Sequence, residues 1–421
     1  MYSMATTWLA AVLTALINLS AAASNFHRSL PSLPLPHGID EIYVDCVNST
    51  GLVVHALSAG CHQDSQDQSV LILLHGYPEI AYTWVHIMPK LASNGYCVVA
   101  PDLRGAGRTT GWDTKPYSQV DLAEFSDINM VRDLVSLVYG LGYTNVTSVI
   151  GHDYGAIIAE WAALIRPDIF TSSVHMSNPF DAPRTPSHPA PIYNDPPNNT
   201  TSTTSKLEQQ EAALAKLSPP RKYYQLYNSQ PSAANDWNTG GALGQRAFLR
   251  GYFYTKSADW PENHPHTLNS SDATQLAMIP RYYVMYQNES MSETIQSLTR
   301  GYNTNVTQSW LPDSDLDVYI SEFQRTGFQG ELNWYRVLTS TAETTSNFLM
   351  AGAKIRGPVI YLSGEKDWGT YQHPGALESY NKTCADFRGS FLIEGAGHWV
   401  QLEQPEALVE RVLRFLDEIR S

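Results

Sequence analysis

Five residues restrict the fold of this 421-residue chain more than any other stretch: Gly151-His152-Asp153-Tyr154-Gly155. They follow the apolar run Val146 to Ile150 and lead into Ala156-Ile157-Ile158-Ala159-Glu160-Trp161-Ala162-Ala163-Leu164, which reads as strand, sharp turn and helix. Glycines two places either side of the centre are needed because such a turn strains the central backbone and lifts that side chain off the sheet. Here the lifted side chain is a carboxylate. A carboxylate oxygen attacks amides poorly but can displace at a strained or activated sp3 carbon, giving an alkyl ester that water must later cleave. Asp153 as an N-cap is the plainer reading, and the flanking glycines and preceding strand argue for the nucleophile.

The partners of such a nucleophile are expected in the order nucleophile, acid, histidine. Asp367 follows the buried-strand pattern Pro358 to Lys366, and His398 sits in Gly395-Ala396-Gly397-His398-Trp399, ahead of the helical pattern Pro405 to Ile419. His398 would activate water while Asp367 fixes its tautomer. Asp181, after Ser173 to Met176, is a rival acid. Upstream, Val70 to Leu74 delivers His75-Gly76-Tyr77-Pro78, so the amides of Tyr77 and Tyr154 are expected to face the ester oxyanion. His75 and His152 are expected to brace their turns, and Arg104 to be structural. No spacing suggests a metal, and the chemistry calls for no cofactor.

Short apolar runs at Val70 to Leu74, Tyr96 to Ala100, Val146 to Ile150 and Ser173 to Met176, separated by helix-length segments, predict a mainly parallel sheet. Ile42 to Val47 and Leu52 to Leu57 read as an opening hairpin around Asn48 to Gly51. The pattern breaks at the proline-rich Pro183 to Pro197 and the polar Asn198 to Ser205. Lys206 to Leu217 returns to helix, and helical, aromatic sequence runs to about Ser346, including Tyr282, Tyr283, Tyr286, Trp310, Phe323 and Phe328. Val359 to Leu362 and Phe391 to Ile393 then resume the sheet. The expected division is a leader (1–23), a core in two parts (24–184 and 346–421) and an inserted helical cap (185–345).

These residues resemble the epoxide hydrolases of the α/β-hydrolase fold, over roughly residues 40 to 420. The family pattern joins an H-G-x-P turn, a G-H-D-aromatic-G elbow, a D-x-R-G-x-G segment, a late Asp and G-H-W-x-Q. This chain carries Asp102-Leu103-Arg104-Gly105-Ala106-Gly107 and Gly397-His398-Trp399-Val400-Gln401 in the corresponding places. The resemblance implies an eight-stranded, mainly parallel sheet with helices on both faces. It also implies two cap tyrosines that hydrogen-bond the epoxide oxygen. Phe328-Gln329-Gly330-Glu331-Leu332-Asn333-Trp334-Tyr335-Arg336 is similar to the family's F-x-G-x-L-N-W-Y-R segment and assigns Tyr335. Arg221-Lys222-Tyr223-Tyr224-Gln225-Leu226-Tyr227 is similar to its Y-Q-L-Y stretch and selects Tyr224, with Tyr223 and Tyr227 as competitors. In this fold the second strand lies antiparallel beside the fourth, so Cys61 is expected to approach Cys97; four free thiols are the other reading. Two alternatives stay open. A haloalkane or haloacid dehalogenase would use the same triad, and Trp368 resembles a dehalogenase neighbour, although Tyr77 and Tyr154 stand where that family offers Asn and Trp. A non-catalytic secreted binding module of the same fold is the other.

A net charge of -14 and a pI near 5.3 argue against nucleic-acid binding, and 43% hydrophobic content suffices for a large core. The expected partners are a small epoxide and water, in a monomer or homodimer with no stable membrane span. Trp8 to Leu19 followed by Ser20-Ala21-Ala22-Ala23 reads as a signal peptide, although no Lys or Arg precedes it. Asn-x-Ser/Thr sequons at Asn48, Asn145, Asn198, Asn199, Asn269, Asn288, Asn305 and Asn381 also favour a secreted glycoprotein.

Overall fold

The computed structural model describes residues 30–62, 68–180, 206–340 and 347–420. The expected leader, Asp181, Asn198 and Asn199 lie outside them.

Strand β1 (Ile39–Cys46) pairs antiparallel with β2 (Leu52–Ala59), from Ile39 against Ala59 to Cys46 against Leu52. This is the expected opening hairpin, and its connection is a helical turn, Val47–Thr50. Ser49 and Thr50 donate their hydroxyls to the Cys46 carbonyl, and Gly51 closes the turn at φ 79. Local side-chain bonds of this kind draw Ser and Thr into a capped turn. Strand β3 (Val70–Leu74) is wholly buried, as a central parallel strand with both faces covered must be. It pairs in parallel with β4 (Cys97–Pro101) on one side and β5 (Ser148–His152) on the other. Helix α1 (Asp127–Gly140) precedes β5, and α2 (Tyr154–Ile165) leads from it to β6 (Ser173–Met176).

The next described segment, 206–340, is helical apart from a small antiparallel ribbon of β7 (Arg221–Tyr223) and β8 (Val284–Tyr286). The helix expected at Lys206 to Leu217 stops at Leu214, shortly before Pro219 and Pro220. The longer helices are α3 (Gln245–Lys256), α4 (Asp313–Thr326) and α5 (Gln329–Leu338). The chain then returns to β9 (Ile355–Gly364) and β10 (Cys384–Ile393), and ends in α6 (Pro405–Arg420). The sheet order is β1-β2-β4-β3-β5-β6-β9-β10, parallel except where β2 meets β1 and β4.

Ala59 pairs with Val98, so the residues just beyond that register face each other, and Cys61 is disulfide-bonded to Cys97. Cys46 and Cys384 are buried thiols. The helical segment shares one hydrophobic core with the sheet layers. It seats on the loops after the strands: Tyr77 packs against Trp237 at 4.8 Å and Tyr335 at 5.2 Å, and the Trp334 Nε1 donates to the Arg104 carbonyl at 2.9 Å.

Candidate active site

Asp153, immediately after β5, has φ 52 and ψ −115, a backbone conformation that a side-chain-bearing residue rarely adopts. Its neighbours explain how it is held. A Cβ on Gly151 would lie 2.0 Å from the Gly155 carbonyl oxygen, and one on Gly155 would lie 2.3 Å from the Leu74 carbonyl oxygen. Both glycines are therefore fixed by backbone contact. Helix α2 is pressed onto the end of β3, and Asp153 stands at the crest between them.

The Tyr77 amide donates to Asp153 Oδ1 at 3.0 Å. Tyr154 is the first residue of α2, where amides have no acceptor within the helix. The two amides expected around an oxyanion thus lie on adjoining loops, one contacting the carboxylate directly. On the other side His398 Nε2 approaches Asp153 Oδ2 at 3.4 Å, and its Nδ1 is 3.1 Å from Asp367 Oδ1. Asp367 is anchored in turn by the Gly369 amide at 2.7 Å and the Ser363 hydroxyl at 2.9 Å. Burial works against the charge on Asp153, but the His398 contact and the nearby Lys256 and His152 hold its carboxyl well below the usual range. Burial also opposes the charge on Asp367, and His398 outweighs it. Both stay ionised at neutral pH.

A cavity lined by Asp153, Tyr154, Tyr224, Tyr335 and Gln372 opens above the carboxylate. Tyr224 and Tyr335 face one another across 5.7 Å between ring centroids, and burial raises both phenols well above their ordinary pKa. The two competitors are engaged elsewhere: the Tyr223 hydroxyl donates to Gln372 Oε1 at 3.1 Å and the Tyr227 hydroxyl to Asp236 Oδ2 at 2.7 Å. A second hollow of about 250 Å³, sharing Gln225, Gln372 and His373 with the first, extends beside it. Among the described residues no group of three or more His, Cys, Asp or Glu side chains could hold a metal ion.

The structure adds residues that sequence reading overlooked. Glu79, fully buried, accepts from the Gly76 amide, the Thr83 hydroxyl, Gln401 Nε2 and His152 Nδ1, the last at 2.7 Å. His152 Nε2 meets the His398 carbonyl at 2.8 Å. Burial disfavours both charges, yet Glu79 is held ionised and His152 has its pKa raised, as an ion pair would require. This network joins the loops carrying Tyr77, Asp153 and His398. Its signal was present in the H-G-x-P turn and in Gln401, but neither motif reveals that Glu79 lies between them. Glu331 on α5 has no hydrogen-bond partner for either oxygen, and burial pushes its pKa well up, so it is held as the neutral acid.

An eight-stranded, mainly parallel sheet with a carboxylate at the strand–turn–helix crest defines the class, the α/β-hydrolase fold. A family model described as alpha/beta hydrolase fold matches residues 69–219. Epoxide hydrolase A of Mycobacterium tuberculosis is 29% identical over 88% of this chain and 96% of its own. Epoxide hydrolase 3 of Siraitia grosvenorii is 27% identical over 90% of this chain and 100% of its own. The solved epoxide hydrolase from an endophytic Streptomyces superposes with a TM-score of 0.70 at 25% identity, covering 91% of this chain and 97% of that one. The fold is therefore shown, and the relatives and solved structures that this chain resembles over most of its length are epoxide hydrolases.

Proposed function

We propose that the chain hydrolyses an epoxide to a vicinal diol in two steps, through an ester on Asp153. Asp153 Oδ attacks a ring carbon and the C–O bond breaks, while Tyr224 and Tyr335 hydrogen-bond the ring oxygen and one phenol gives it a proton. Burial makes each phenol a weak acid, which suits donation to an alkoxide rather than to a neutral ether. His398 Nε2 then takes a proton from water, whose oxygen adds to the ester carbonyl. The Tyr77 and Tyr154 amides receive the oxyanion. Collapse of that intermediate passes its hydroxyl proton to the departing oxygen, which releases the diol and restores the carboxylate, and the imidazolium proton returns to the tyrosinate.

The observation that carries this reading is the placement of Asp153, with an amide donor and an imidazole at its carboxylate and two facing phenols lining the cavity above it. A dehalogenase would need side-chain donors for halide at positions 77 and 154. Here the Tyr77 ring is buried among Trp237, Phe328 and Tyr335, and the Tyr154 ring stacks on Trp334 at 4.5 Å, which favours the epoxide reading. The test is one turnover of styrene oxide and of a fatty-acid epoxide in 18O-water, with mass spectrometry of the Asp153 peptide. Label in that carboxylate is the expected result. Turnover without it means direct attack by water and overturns the nucleophile, and binding without turnover favours a non-catalytic module.

We infer further that the chain is exported. The leader-like amino terminus, the Cys61–Cys97 bond and the sequons support this reading.

A further inference from the structure

Lys256 ends helix α3 and is 2% exposed. A lysine in a last helical turn ordinarily reads as a solvated cation facing the helix dipole. Here its Nζ lies 4.7 Å from the Tyr283 ring centroid, 5.0 Å from that of Tyr252 and 5.5 Å from that of Trp399. Its backbone is locked to the histidine loop: the Lys256 carbonyl accepts the His398 amide at 2.9 Å, and a Cβ on Gly397 would sit 2.5 Å from that same oxygen. Trp399 packs 4.6 Å from the His398 ring and donates its Nε1 to the Phe253 carbonyl. The ammonium is therefore one aromatic ring away from the imidazole.

Burying an unpaired ammonium costs several kcal/mol, and ring faces offset only part of that. Burial pulls the Lys256 pKa below its ordinary value, and the attraction of the Asp153, Asp367 and Glu79 carboxylates offsets only part of that. These carboxylates come from the elbow, the loop after β9 and the loop after β3; the His398 and His152 rings pack on Trp399 at 4.6 and 5.8 Å, and the buried Glu403 carboxyl accepts from the Ala258, Gly397 and Trp399 amides next to Lys256.

We infer that Lys256 is the fixed counter-charge of these carboxylates, a positioning residue that acts on Asp153 and His398 through space. The inference rests on the two-step hydrolysis proposed above. Before the reaction the ammonium favours an ionised nucleophile. Once Asp153 is esterified, one negative charge has gone and the ammonium remains, one ring away from the imidazole that takes the proton from water. One buried cation thereby serves both half-reactions.

The test compares wild type with Lys256→Met, Lys256→Gln and Lys256→Arg by single-turnover kinetics across pH, following formation and loss of the alkyl-enzyme. In the neutral variants the acid limb of ester hydrolysis should move up by about one pH unit, and alkylation should slow about tenfold, the equivalent of one pK unit of interaction. Lys256→Arg should keep both near wild type. A structural role alone would lower the melting temperature and leave the limb where it was. An unmoved limb in a folded neutral variant overturns the inference. So does an arginine variant that behaves like the neutral ones, or neutral variants that cannot fold beside an active arginine variant, since the charge would then serve stability. Absence of ester in wild-type protein that turns over substrate overturns the proposed function instead, and this inference with it.

Discussion

Side-chain direction decides which of three neighbouring tyrosines lines the Asp153 cavity. Tyr223, Tyr224 and Tyr227 span the end of β7 and a short helix, so successive residues point apart. Tyr224 turns toward Tyr335 and the Asp153 cavity, while Tyr223 and Tyr227 are tied to Gln372 and Asp236. Tyr224→Phe and Tyr335→Phe should each slow alkyl-enzyme formation about 10²-fold, as loss of one positioned proton donor does, and the double variant should be slower still. Tyr227→Phe should cost stability and keep the alkylation rate within about threefold, because its hydroxyl serves Asp236. Stopped-flow tyrosine or tryptophan fluorescence reads the step, and a Tyr227→Phe defect as deep as that of Tyr224→Phe would reverse the assignment. The elbow was legible in the sequence because its constraint is local: two glycines that backbone contact forbids to be anything else, around one carboxylate. The tyrosine register was less so, since it depends on how a helical layer seats on the sheet. Lys256 was not legible at all, because nothing in Tyr254-Thr255-Lys256-Ser257 indicates three rings brought together from distant segments.

At the scale of elements, the loop after β4 binds the sheet edge to the helical layer through buried charges. His55 on β2 donates from Nδ1 to Asp102 Oδ2, 2.7 Å away, and from Nε2 to Glu41 Oε1, 3.3 Å away. Arg108 pairs with Glu41 on β1 and with Glu322 on α4, and its amide donates to Asp102. Burial opposes a charge on His55, but Asp102 and Glu41 prevail and raise its pKa to about 9. A raised folded-state pKa means that the native chain binds this proton more tightly than the unfolded one. The contribution is therefore complete below about pH 6.5, the unfolded value, and is lost as pH climbs through 9. Thermal melts should show wild type losing about 3 kcal/mol between pH 6.5 and 9.5 that His55→Gln does not lose. Glu403, raised to about 8 by burial, titrates with the same sign in both proteins and cancels in the difference. Parallel slopes for the two proteins would place the His55 proton outside the stability of the fold. The sequence made the strands of this layer legible through their apolar runs. The opening hairpin was legible too, but not that its connection is a helical turn, which the Ser49 and Thr50 hydroxyls fasten to the Cys46 carbonyl. The charge network escaped because its members are scattered from Glu41 to Glu322 and meet only after folding.

For the whole molecule, two surface facts bear on where it works. All six described sequon asparagines, Asn48, Asn145, Asn269, Asn288, Asn305 and Asn381, are exposed, which glycan attachment requires. The disulfide joins the end of β2 to β4 across 36 residues, and its Cys61 end reaches the surface while Cys97 is buried. A bond of this kind persists in an oxidising compartment and is rare where thiols are kept reduced. Among the described residues no helix is long and apolar enough to cross a membrane. Chain length and apolar content had already required a large core, and charge had argued against nucleic acid. Which asparagines reach the surface could be known only once the sheet and its helical layer were assembled. Expressed with its first 23 residues in a glycosylating host, the protein should appear in the medium without them and lose mass on treatment with an N-glycosidase. Reduction should destabilise it by about 4 kcal/mol, the loop-closure value for a bond of this span, with the alkylated peptides mapping to Cys61 and Cys97. Retention inside the cell with an intact amino terminus, no mass loss and four alkylatable thiols would refute export, while leaving the chemistry at Asp153 to be judged by its own label.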